Sequence, residues 1–171
     1  MPLRRPKVYI ILLMVIALSA ESASAQGHHS GEKFVAVRAG ANLVGNAYRV
    51  RETKPEPGAG ASIGSFLSQR WAVEFETWMR ASNPECCAPR RTEMLYSVSV
   101  VRVLASEGIQ PYMLGGLTFL QADHSALRVQ IGVGAQFPLY RRLGVAIDVR
   151  GNGGGSTMIV RPSAALIYNF H

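Results

Sequence analysis

The last third of the chain carries the pattern that most limits what it can become. From Leu127 onward every second residue is apolar: Leu127, Val129, Ile131, Val133, Ala135 and Phe137. Arg128, Gln130, Gly132, Gly134 and Gln136 lie between them. After a break at Pro138–Arg142 the alternation resumes, with Leu143, Val145, Ile147 and Val149 on one face and Gly144, Ala146, Asp148 and Arg150 on the other. A glycine-rich break, Gly151–Gly155, leads to Met158, Val160, Ala164, Leu166, Tyr168 and Phe170, set against Arg161, Ser163, Ala165 and Asn169. A strict period of two is the signature of a β-strand with one apolar and one polar face. Strands that follow one another through short breaks form an antiparallel meander.

These segments run to about ten to twelve residues, and a tilted strand needs about nine to eleven to cross a bilayer. The apolar face is aliphatic along its length and aromatic towards one end. A membrane barrel has this pattern, with an aromatic girdle at the lipid–water boundary. Trp71, Phe137, Tyr140, Tyr168 and Phe170 are the expected interfacial aromatics. A soluble barrel would use the same alternation with the apolar face turned inward.

The amino terminus favours export. Arg4, Arg5 and Lys7 precede an apolar run, Val8–Leu18, and Ala23-Ser24-Ala25 is a small-x-small cleavage motif. Residues 1–25 therefore read as a secretory signal peptide, cut before Gln26. The apolar run is shorter than the ~18–20 residues of a spanning helix. Without the three basic residues and Glu21 of the leader, the chain keeps fifteen basic and ten acidic residues, a net charge of +5. The basic residues are dispersed, with no basic stripe or stacking motif, so nucleic acid is excluded as a partner. A modest attraction to anionic lipopolysaccharide is expected instead.

Residues 26–33 form a short polar segment. His28 and His29 within it lack further placed ligands, so they read as a frayed tail rather than a metal site. Phe34–Val44 is the first strand, and a polar loop with five charges follows it. Gly58-Ala59-Gly60-Ala61-Ser62-Ile63-Gly64 superficially matches a dinucleotide-binding turn, but a charged loop precedes it and another strand follows, so that reading is rejected. These glycines leave room on an inward face for large neighbours. In the third strand Ala72, Glu74, Glu76 and Trp78 oppose Trp71, Val73, Phe75 and Met79. Glutamates in mid-strand are costly against lipid and cheap in a polar lumen. Lying two apart on one strand without a cleft, they do not suggest glycosidase chemistry.

Cys86 and Cys87, the only cysteines, occupy a polar loop and, being adjacent, cannot staple distant strands. A fourth strand, Thr92–Ala105, blurs its alternation at Val98–Val103, which suggests a bulge. A fifth, Ile109–Ala122, contains Gly115-Gly116, and Asp123-His124-Ser125 follows it. The total is eight strands. Tight turns after the second, fourth and sixth alternate with other connections, as in an even barrel with short turns on its periplasmic side.

The chain resembles the small outer-membrane β-barrel family of OmpA/OmpX type. The resemblance rests on Phe34–Val44, Gly58-Ala59-Gly60-Ala61, Pro111-Tyr112-Met113-Leu114-Gly115-Gly116-Leu117, Gly132-Val133-Gly134-Ala135-Gln136-Phe137-Pro138-Leu139 and Leu166-Ile167-Tyr168-Asn169-Phe170. It covers nearly all of residues 34–171. It implies an all-β, eight-stranded antiparallel up-and-down transmembrane β-barrel, exported through the Sec pathway and inserted in the bacterial outer membrane. Family members typically end on an aromatic residue read by the barrel-insertion machinery; here Phe170 is followed by His171.

The resemblance further implies a monomeric structural or surface-interaction protein, not an enzyme, with outer-membrane lipid, lipopolysaccharide and the insertion machinery as partners. No cofactor or metal is expected. Two alternatives stay open. One is a lipid A-modifying acyltransferase or deacylase using His124 and Ser125, residues that diverge if they are extended. The other is a soluble periplasmic ligand-binding barrel. In the membrane reading Arg38, Glu74, Glu76, Arg128, Asp148, Arg150 and Arg161 share the inward face and form a charge network that plugs the lumen, since unpaired buried charge is costly. A final hairpin centred on Gly154-Gly155 would put Asp148 opposite Arg161.

Overall fold

Alternation along every strand leaves each with one face for lipid and one for the interior, and closing the sheet leaves no open edge. The structure, a computed structural model, describes residues 28–46, 55–82, 91–121, 125–154 and 157–170. The expected leader, Cys86 and Cys87, Asp123, His124 and His171 lie outside them. The strands are β1 (Lys33–Asn46), β2 (Glu56–Phe66), β3 (Trp71–Ser82), β4 (Arg91–Val103), β5 (Gln110–Gln121), β6 (Ala126–Tyr140), β7 (Leu143–Gly154) and β8 (Thr157–Phe170). Each pairs antiparallel with the next, and β8 returns to β1 to close the barrel. In a bilayer, closure is the only way for a sheet to satisfy every backbone donor and acceptor.

The odd-numbered residues of β6 and β7 face outward, as do the even-numbered residues at the end of β8, Ala164, Leu166 and Tyr168. Val37 is 68% exposed, whereas its neighbour Arg38 is 4% exposed. The aliphatic set Val129, Ile131, Val133, Ile147, Val149 and Leu166 is on the outside throughout. A soluble barrel with an apolar interior is therefore the wrong reading, because the charged face is the buried one.

The interior is layered. At the end carrying the turns 67–70, 104–109 and 141–142, Phe34, Phe66, Val101, Val103, Tyr112, Leu114 and Ile167 form an apolar cluster. Charged and amide side chains fill the middle. Trp78, Leu95, Leu120 and Ile159 form a second apolar cluster towards the loop end, with Val44 against it. An eight-stranded barrel is just wide enough for side chains to fill it. Strand β2 makes room for Trp78, since a Cβ on Gly58 would stand 2.6 Å from Trp78 Nε1 and one on Gly60 would stand 2.8 Å from Trp78 Cε3.

Three expectations about strand continuity need correction. Strand β4 pairs with both neighbours without a bulge. Its alternation blurs because Val101 and Val103 point into the apolar end of the interior while Val98 and Val100 point at lipid. Strand β6 runs through Pro138 to Tyr140, with a register shift between those two residues, so the break shrinks to Arg141–Arg142. Arg141 takes a left-handed φ of 40° to close that turn. Strand β7 continues across Gly151–Gly154, paired with β6 as far as Gly153 and with β8 to Gly154.

The glycine pair of β5 separates outward from inward geometry. A Cβ on Gly116 would stand 2.0 Å from the Val98 carbonyl oxygen, whereas one on Gly115 meets nothing within 4 Å. Gly116→Ala should destabilise the barrel by at least ~1–3 kcal/mol, the usual cost of overpacking. Gly115→Ala should be near neutral. Urea unfolding in lipid vesicles, followed by tryptophan fluorescence, measures both. Equal effects would contradict the assigned faces.

Candidate functional site: the charged layer of the lumen

Six charged side chains from four strands meet at mid-height: Arg38 from β1, Glu74 and Glu76 from β3, Asp148 and Arg150 from β7, and Arg161 from β8. Inward-pointing positions recur every second residue, so one layer collects Glu74 with Glu76 and Asp148 with Arg150 from single strands. Arg38 donates from Nη1 to Asp148 Oδ2 at 2.7 Å and from Nη2 to Glu74 Oε1 at 2.6 Å. Arg150 lies 3.0 Å from Glu74 Oε2, 3.2 Å from Glu76 Oε2 and 3.0 Å from Asp148 Oδ2. Arg161 Nη2 donates to Glu76 Oε2 at 2.5 Å. Three cations and three carboxylates thus balance in a buried layer, and pairing is the condition for holding charge inside a protein.

The expected pairing of Asp148 with Arg161 is corrected by the register. Asp148 faces Ser163, and Arg150 faces Arg161. Gly154 pairs with Thr157, so the hairpin centre lies one residue further along than Gly154-Gly155 and every partner moves by two. The faces are unchanged. Two arginines then oppose each other across β7 and β8, and like charges in direct opposition destabilise a sheet. Glu76 resolves this by accepting from both. The guanidinium of Arg161 also lies 4.3 Å over the Trp78 ring, a cation–π contact. Trp78 in turn donates its indole N–H to Asn42 Oδ1 at 3.0 Å.

Asp148 collects further donors. Tyr112 donates its hydroxyl at 2.8 Å, and Ser163 donates to the other carboxylate oxygen. Beside the charges lies an uncharged polar patch. The hydroxyls of Ser97 and Thr118 are 2.8 Å apart, and Thr118 donates to Gln130 Oε1 at 2.9 Å. Arg128 also points inward, but it sits at the loop end, in the electrostatic reach of Arg80 and Glu93. There Arg80 Nε donates to Glu93 at 2.7 Å.

Both ends of the layer carry apolar residues that the sequence did not single out. The clusters around Trp78 and around Phe34 and Phe66 lie above and below it. At the turn end His28 is buried, which corrects its reading as part of a frayed tail. Its ring stacks on Phe66 at 3.8 Å between centroids, and its Nε2 is 3.0 Å from Gln110 Oε1. Its Nδ1 is 3.2 Å from Glu32 Oε2. The physical reason is the open mouth of the apolar cluster, which offers a flat ring and a polar partner to the first side chain that reaches it. A histidine and an aromatic at that separation in sequence give no signal of contact.

Outside, Trp71, Tyr140 and Tyr168 are exposed and Phe137 and Phe170 half-buried, all towards the turn end. Tyr168 and Phe170 stack at 6.3 Å. Tyr96 and Phe119 pair across β4 and β5 towards the loop end and were not singled out from the sequence. Ser125 is exposed, and its expected partner His124 lies outside the described residues. Among the described residues, no group of three metal-ligating side chains occurs.

No protein-family model matches the chain, and no curated protein sequence matches it. Solved structures do. The attachment invasion locus protein of Yersinia pestis, Ail, is 15% identical with a TM-score of 0.61, over 82% of this chain and 99% of that one. Ail is also known in complex with the heparin analogue sucrose octasulfate. Neisserial surface protein A is 13% identical with a TM-score of 0.65, over 82% of this chain and 100% of that one. The N-terminal β-barrel domain of Pseudomonas aeruginosa OprF is 15% identical with a TM-score of 0.61, over 84% of this chain and 100% of that one. The chain has the fold of the small eight-stranded outer-membrane β-barrels of OmpA/OmpX type.

Glu76 is the carboxylate that the layer can least spare. Glu76→Ala leaves Arg150 and Arg161 facing each other, and removal of one partner of a buried ion pair costs about 3–5 kcal/mol. Glu107→Ala, in an exposed turn, should stay within about 0.5 kcal/mol. Adding Arg161→Met to Glu76→Ala should recover part of the loss. Urea unfolding of the three variants in vesicles checks this, and no difference between Glu76→Ala and Glu107→Ala would contradict it.

Proposed function

We propose that this barrel is a monomeric outer-membrane protein with a structural or surface-interaction role, and that its lumen is plugged. It is neither a pore nor an enzyme in this reading. The observation that carries it is the balanced charge layer closed on both sides by apolar clusters. A solute would have to pass Phe66 and His28, then the ion pairs, then Trp78. Residues 1–25 act as the export signal. The short turns face the periplasm and the longer connections 47–55 and 83–90 face outward, where they carry any contact with external partners.

The solved neighbours support this reading by kind, since one is described as an attachment protein and another as a surface protein. The Ail complex with a sulfated ligand is compatible with loops that meet anionic polymers. Here Arg49, Arg51 and Lys54 in the first long connection and Arg90 in the second would serve lipopolysaccharide or a similar polyanion. Insertion by the barrel-assembly machinery is part of the same proposal.

The reading has a direct electrical test. Mature protein refolded into a planar bilayer should give no large, stable single-channel openings. Sustained openings of porin size would overturn the plug. An unboiled sample should also migrate differently from a boiled one on a gel, and recovery in the soluble periplasmic fraction without detergent would overturn the membrane assignment.

A further inference from the structure

The turn end of the barrel carries an uneven charge. Lys33, Arg70, Arg102, Arg141 and Arg142 are all exposed there. Among the described residues of that end the acids are Glu32 and Glu107. Glu32 is turned inward, 3.2 Å from His28 Nδ1, and accepts the His29 amide at 3.1 Å. One exposed acid therefore opposes five exposed bases around the rim.

Two of these arginines are held at the height of the aromatic girdle. Arg102 lies 5.3 Å over the Trp71 ring, and Arg141 lies 5.3 Å over the Tyr140 ring. Interfacial Trp and Tyr sit at headgroup level, and an arginine stacked on one has its guanidinium at the depth of the lipid phosphates. Exposed aliphatic side chains lie beside them. Leu67 and Ile109 project from the turns, and Leu143 opens β7. An aliphatic residue exposed in a turn is poorly placed in water and well placed in the upper acyl region. The rim therefore sets exposed aliphatic side chains beside stacked guanidinium groups, as a phospholipid sets its acyl chains beside its phosphate. Guanidinium is the side-chain group best matched to phosphate.

We propose that the turn-end rim binds the headgroups of anionic phospholipid in the leaflet it faces. This rests on the membrane-inserted reading given above. Arg102 on Trp71 and Arg141 on Tyr140 are the anchors, and Arg70, Arg142 and Lys33 supply the surrounding field. The mode is electrostatic and salt-sensitive, while the aliphatic contacts hold the acyl chains.

The test uses the mature barrel in nanodiscs of equal parts phosphatidylcholine and phosphatidylglycerol, with the retained lipids read by native mass spectrometry. Wild type should enrich phosphatidylglycerol about fivefold, the factor corresponding to about 1 kcal/mol for a basic side chain near an anionic surface. Arg70→Gln, Arg102→Gln, Arg141→Gln and Arg142→Gln combined should bring the ratio to parity. If that variant does not insert, Arg102→Gln with Arg141→Gln should still lower the ratio. Arg49→Gln, Arg51→Gln, Lys54→Gln and Arg90→Gln, an equal loss of four positive charges at the loop end, should leave it unchanged.

Parity in the wild type would overturn the proposal, as would equal loss in the loop-end variant, which would signal net charge rather than the rim. Release of the enriched lipid by inorganic phosphate at constant ionic strength would mark a free-phosphate site and overturn it too. A barrel that never inserts overturns both readings, and the unboiled-versus-boiled gel shift identifies that case.

Discussion

The structure depends on the bonding of three carboxylates to three guanidinium groups inside a closed sheet. Buried ion pairs are weak sources of net stability, because desolvation offsets much of the attraction. Their effect here is on register. A slip of one residue between neighbouring strands would turn a strand's charges into lipid, where they are costly. A slip of two would keep the faces but displace the partners. Glu76 can hold Arg150 and Arg161 apart only with β7 and β8 aligned as Arg150 with Arg161. The layer therefore selects one pairing among those the alternating pattern allows.

The apolar clusters on either side make this possible. They flank charges that are themselves buried, and burial strengthens the pairing and also makes every unmet group expensive. Trp78 joins the two environments: its ring carries Arg161 on one face, its N–H reaches Asn42, and its bulk packs with Leu95, Leu120 and Ile159 towards the loops. Gly58 and Gly60 leave the space it occupies. A glycine-rich strand that looks featureless in isolation is thus complementary to the largest side chain of its neighbour.

Much of this was legible in the sequence. Alternation assigned the outward and inward faces of β6, β7 and β8, and the cost of charge in lipid put Arg38, Glu74, Glu76, Asp148, Arg150 and Arg161 on the inner one. Partner choice was not legible. Asp148 and Arg161 lie on a shared face in either register, and the hairpin centre differs by a single residue within a glycine run that gives no local preference. The strand β4 pattern misled because its interior end is apolar, so both faces of Val98–Val103 are hydrophobic. His28 misled because a residue next to an expected cleavage site carries no periodicity, and its stacking on Phe66 depends on closure of the barrel. The loop-side aromatics Tyr96 and Phe119 could have been found by asking which aromatics flank the second end of each apolar run.

The proposal that the charged lumen is plugged is tested most directly through Trp78. The chain has two tryptophans, so Trp71→Phe leaves Trp78 as the sole emitter. Its fluorescence in vesicles should resist quenching by aqueous acrylamide and also by brominated lipid chains, because the ring is fully buried inside the barrel. Trp71 in a Trp78→Phe protein should be quenched by brominated lipid. Strong acrylamide quenching of Trp78 in the folded barrel would mean a water-filled lumen and would contradict the account.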